Sequence, residues 1–109
     1  MANTRIMILE GASGHAFFLK EILLAEGLAN QVDLVSSVAE AIERLQVPNA
    51  YDLVIINLVE TWEKGLQLGF WLCEQPHLYP TLLIVPQDID YPRLVKPAPI
   101  SILTAISTL

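Results

Sequence analysis

Four aliphatic residues in a row, Leu53, Val54, Ile55 and Ile56, stand between Asp52 and Asn57, and three of the four are β-branched. A short, unbroken apolar run closed by polar residues at both ends reads as a strand buried on both faces. Strands of that kind lie in the middle of parallel sheets, with helices on either side. In such sheets, chemistry gathers just beyond the carboxyl ends of the strands. Asn57 takes that position here, and its side chain is an amide and not a carboxylate.

A doubly covered sheet also explains the composition. Hydrophobic residues make up 53% of the 109-residue chain, and the mean hydropathy is +0.48. That length suits one domain, spanning residues 1–109, with one core. No apolar run approaches the roughly 18 residues of a membrane span, and no signal peptide is visible. The single cysteine, Cys73, excludes an internal disulfide and a cysteine-built metal cluster, so a reducing, cytoplasmic setting is expected. Twelve acids against six bases give a formal charge of −6. Phosphate backbones need clustered cations, so direct nucleic-acid binding is not expected.

Taken in order, the chain alternates strand and helix patterns. Residues 4–9 (TRIMIL) read as a first strand, and Gly11, Ala12, Ser13 and Gly14 as a turn. Ala16, Leu19 and Leu23 then share one helical face, with Phe18, Ile22 and Ala25 beside them and Gly27 as the stop. Residues 32–35 (VDLV) form a short strand. Ser37 and Glu40 have the spacing of a capping box, and Val38, Ala41, Ile42 and Leu45 make one apolar face. After the central strand, a helix is expected at about residues 64–75, with Leu66, Gly69 and Leu72 facing inward. Residues 82–85 (LLIV) form a fourth strand, Leu94-Val95 a fifth, and residues 101–109 a final short helix. Only the eight residues from Pro86 to Arg93 separate strands four and five, and two of them are prolines. Parallel pairing needs a crossover of about a dozen residues or more, so the fifth strand is linked by a minimal loop or is antiparallel.

In this order the motifs resemble the receiver domain of bacterial two-component response regulators. The segment SVAEAIERLQVPNAYDLVIINLV, residues 37–59, is similar to that family's second helix, loop and third strand. The step from Asn57 to Gly65-Leu66 resembles its spacing from the phospho-acceptor Asp to a Gly-Leu pair opening helix three, and Leu94 to Pro97 (LVKP) resembles the Lys-Pro after strand five. The resemblance implies a flavodoxin-like, receiver-type α/β three-layer sandwich. Its five-stranded sheet is mostly parallel, with helix four reduced or absent.

The departures bear on function. A working receiver holds Mg²⁺ with two acids after strand one and an Asp after strand three, and that Asp is the nucleophile. A hydroxyl and a Lys contact the phosphoryl oxygens, so the site works by positioning and charge neutralisation. Carried onto this chain, the acid pair becomes Glu10 and Gly11, the Asp becomes Asn57, the hydroxyl position falls on Pro86, and Lys96 is kept. An amide is a poor nucleophile and brings no charge to a metal. The resemblance therefore implies a pseudo-receiver: not an enzyme, without cofactor, acting as a phosphorylation-independent interaction module in signalling. Lys96 either pairs with Glu10 or serves elsewhere. The switch aromatic expected three residues before the Lys is Arg93, with Tyr91 two further back.

The partner would be another protein or a second copy. Phe70 and Trp71 fall at positions of helix three that are usually polar in the family; they either fold over the vacated space as core or form an exposed anchor. Phe17 and Leu24 share a helical face with Lys20 and Glu21, which is either a partner patch or ordinary isolated exposure.

An alternative is a small nucleotide- or phosphate-binding domain. Gly11, Ser13 and Gly14 lie between a strand and a helix, where backbone amides can cradle a phosphate. Against it, Phe17 stands where the third glycine of the dinucleotide fingerprint belongs, and no ribose-binding acid follows Ser36-Ser37; a tight turn with Ser13 as helix cap is the plainer reading. His15, His77 and Cys73 lack metal-ligand spacing, Asp88 and Asp90 lack the rest of a calcium loop, and no nucleophile elbow is present.

Overall fold

A computed structural model describes residues 3–11, 14–59, 61–76, 79–85 and 100–104. Its core is a set of parallel strands: β1 (Arg5–Leu9), β2 (Gln31–Val35), β3 (Leu53–Asn57) and β4 (Thr81–Val85). Helix α1 (His15–Ala25) joins β1 to β2, α2 (Val38–Leu45) joins β2 to β3, and α3 (Trp62–Glu74) joins β3 to β4. The strands lie in the order β2-β1-β3-β4. Leu9 sits opposite Val35 on one side and Ile56 on the other, and Ile56 opposite Leu83. Asp52 fixes the start of β3: its carboxylate accepts the Arg5 N–H at 2.8 Å, and its own N–H donates to the Arg5 carbonyl at 2.7 Å.

Alternation along the strands sorts the core into two clusters. Met7, Leu9, Val35, Val54, Ile56 and Leu83 pack against Ala41 and Leu45 of α2 and Leu68 and Leu72 of α3. Ile6, Ile8, Val32 and Ile55 face the other way, onto Ala16, Leu19 and Leu23 of α1. Adjacent apolar residues on a strand reach opposite helical layers, which is why these runs are unbroken rather than alternating.

Local signals set the helix boundaries. Ser37 caps α2, its hydroxyl accepting the Glu40 N–H at 3.1 Å, and Glu40 reaches back to the Ser36 N–H at 3.3 Å. α1 has no side-chain cap; its N-cap is Gly14, in the left-handed region at φ 84°. Ser13 lies outside the described residues. Gly27, also left-handed at φ 71°, ends α1, and the next residue's N–H returns to the Leu23 carbonyl at 2.9 Å.

Two expectations need correction. α3 begins at Trp62, so its buried positions are Gly65, Leu68, Gly69 and Leu72, while Leu66 is only partly buried. Gly65 sets this phase. A Cβ there would stand 2.5 Å from Leu58 Cδ2 and 2.8 Å from Thr61 Oγ1, so the helix can settle this close to β3 only at a glycine. Second, Ile100–Thr104 is a strand, β5, and not the start of a helix. Its backbone pairs with β4 in parallel, with Leu103 opposite Ile84. A strand satisfies the N–H and C=O groups along the β4 edge, which a helix would leave unpaired. Leu94-Val95, and any helix four, lie outside the described residues.

Candidate functional site at the carboxyl edge of the sheet

β1 is flanked by β2 on one side and β3 on the other, so successive connections leave it in opposite directions. That reversal opens a crevice beyond the strand ends, where ligands bind in sheets of this type. Glu10, Gly11 and Asn57 stand there. The β1–β3 register puts Glu10 one step beyond Leu9 and Asn57 one step beyond Ile56, side by side. The Glu10 N–H is held by the Val35 carbonyl at 2.8 Å.

Asn57 is tied into its own loop. Its Oδ1 accepts the Val59 N–H at 3.0 Å, and its carbonyl accepts the Thr61 hydroxyl at 2.8 Å and the Thr61 N–H at 3.0 Å. Thr61, 2% exposed, is thereby satisfied. The side-chain amide thus shapes the turn from β3 into α3, a local bond that Asn favours. On the α1 side, Asn57 and His15 line a cavity with Ile8, Ala16 and Ile55, with room for about one water-sized group. That juxtaposition of His15 and Asn57 was not legible in the sequence, because it depends on how α1 lies across β1. Lys64 was also missed. Its Nζ donates to the Ser36 carbonyl at 2.8 Å, clamping α3 to the end of β2.

The other proposed residues divide. Pro86 and Lys96 lie outside the described residues, as do Ser13, His77, Asp88, Asp90, Tyr91 and Arg93. Gly14 accepts the Phe17 N–H at 3.1 Å. Phe70 and Trp71, treated together in the sequence, part company. Trp71 packs at the margin of the core and stacks on Tyr79 with ring centres 6.3 Å apart, whereas Phe70 is 45% exposed. Phe17 is exposed too, and Leu24 lies at the border.

Charged groups cluster away from this edge. Tyr51 donates to Asp33 at 2.5 Å, and Arg44 lies 3.6 Å from Asp33 and 3.2 Å from Glu40. Burial, followed by the Asp33 bond, pushes the Tyr51 hydroxyl above its ordinary value. Burial also pushes the Cys73 thiol up, with Glu74 adding to it. Among the described residues no three His, Cys, Asp or Glu side chains come together as metal ligands, and no helix is long and apolar enough to cross a membrane.

No protein-family model matches the chain, and no curated protein matches it.

Proposed function

We propose that this chain is a flavodoxin-like, receiver-type domain that has kept the scaffold and lost the phosphoryl chemistry, and that it works by binding another protein in cytoplasmic signalling. The observation that carries the reading is Asn57. It stands at the crevice where the sheet reverses direction, beside Glu10 and with glycine next along at Gly11. Its side-chain oxygen is engaged by its own loop. A carboxylate in that place could act as nucleophile and metal ligand, whereas an amide offers neither charge nor nucleophilicity. Glu10 alone does not neutralise a divalent cation. The site therefore positions a loop and performs no reaction.

The test is incubation with acetyl phosphate and Mg²⁺, read by intact mass and peptide mapping. The expected result is an unchanged mass. A phosphate adduct on the peptide containing Asn57 overturns the proposal.

A further inference from the structure

Helix α1 is apolar round most of its circumference, yet the described residues cover only one side of it. Ala16, Leu19 and Leu23 face the sheet, while Phe17, Phe18 and Ile22 are 54%, 66% and 56% exposed. Phe17 and Phe18 pack edge to face on each other, with ring centres 6.2 Å apart. A helix of this composition is normally buried on more than one side. Contiguous exposed apolar surface of this kind marks an interaction site.

The charges around the patch define the partner. Glu21 follows Phe17 and Phe18 by one turn, and Glu26 follows Ile22 by one turn. The first turn of α1 holds no acid and the last turn no base. Both carboxylates therefore lie in the half of the helix where the backbone dipole is already negative. Lys20, the helix's lone Lys or Arg, is half-buried. The chain as a whole carries −6. A second copy would bring the same acids against these acids.

We propose that the outer face of α1 docks a cationic amphipathic helix of a partner protein. The partner's apolar side would cover Phe17, Phe18 and Ile22, and its flanking Lys or Arg side chains would meet Glu21 and Glu26. This rests on the interaction-module reading and gives it a surface and a partner chemistry.

The test is amide-resolved NMR titration with a designed Leu/Lys amphipathic peptide, alongside a Leu/Glu peptide with the same apolar face. Saturable shifts confined to α1 are expected with the Lys peptide only. Affinity should fall at least about tenfold in Phe18→Ser/Ile22→Ser, and several-fold in Glu21→Lys/Glu26→Lys or on raising salt from about 50 to 500 mM. All four positions are solvent-facing, and an unchanged thermal melt verifies that each variant is folded.

Equal binding of both peptides, shifts centred away from α1, or concentration-dependent self-association abolished by Phe18→Ser/Ile22→Ser would overturn the proposal; the last outcome would make a second copy the occupant. None of these outcomes depends on the acetyl phosphate result, so the two readings fail separately.

Discussion

Met7, Leu9, Val54 and Ile56 point to the side of the sheet roofed by α2 and α3, and all four are at most 1% exposed. Ile6, Ile8 and Ile55 point to the other side, where α1 alone among the described helices lies over them. The first face is closed by side chains from two helices that also touch each other, with Trp71 and Tyr79 at its margin. On the second, Leu53, Leu82 and Ile84 are only partly buried, and α1 turns aromatic residues to solvent. The same strands, with the same aliphatic residues, thus build a closed core on one side and, among the described residues, a more open face on the other. Stability is expected to reside mainly in the first face and recognition in the second.

Substitutions can break that comparison. The largest expected effect is Leu68→Ala, at a fully buried position of the closed face, with a loss of about 3 kcal/mol. Leu23→Ala, the partly buried counterpart on α1, should cost about 1 kcal/mol. Urea unfolding of the two variants checks this, and equal losses would remove the distinction between the faces.

The two glycines of α3 sharpen it. Gly65→Ala drives a methyl group into Leu58 and Thr61 and should destabilise by about 2 kcal/mol. Gly69→Ala meets nothing within 4 Å and should be neutral or stabilising by up to about 1 kcal/mol. Opposite signs in thermal melts are the expected outcome. Ser37→Ala removes the α2 cap and should cost about 1 kcal/mol in the same assay.

Alkaline pH gives a smaller effect of defined sign. Tyr51 and Cys73 both touch the closed cluster, and both titrate higher when folded than their ordinary values. The folded state therefore holds these protons more tightly than the unfolded chain. The stability this contributes is fully present below the unfolded values, about 8.5 for a thiol and 10 for a phenol, and is lost as pH rises through the raised folded ones. Unfolding free energy measured from pH 7 to 11 should be flat at first and then decline. Tyr51→Phe should shrink the part of that decline near pH 10 and above. Least of all, Phe17→Ser on the open face should change stability by no more than about 0.5 kcal/mol.

Much of the scaffold was legible in the chain. The first four strands follow from their aliphatic runs, and α2 from its cap and apolar spacing, because those signals are local. Asn57 could be placed at a strand end for the same reason. The phase of α3 was not legible. Leu66 looks as good an inward residue as Leu68 until Gly65 is seen pressed against Leu58. β5 was misread as helix because a sequence does not show that β4 has a free edge to be paired.

The sequence by itself determined which segments are strand and helix over residues 5–57, and that an amide, Asn57, stands at the carboxyl edge of the sheet. Both are properties of neighbouring residues. Only the tertiary structure decided that Phe70 and Trp71 have different surroundings, that His15 and Asn57 line one cavity, and that the described residues leave the outer side of α1 uncovered. Those depend on which surfaces segments far apart in the chain happen to cover, and helical spacing places a residue on a face without saying what lies opposite it.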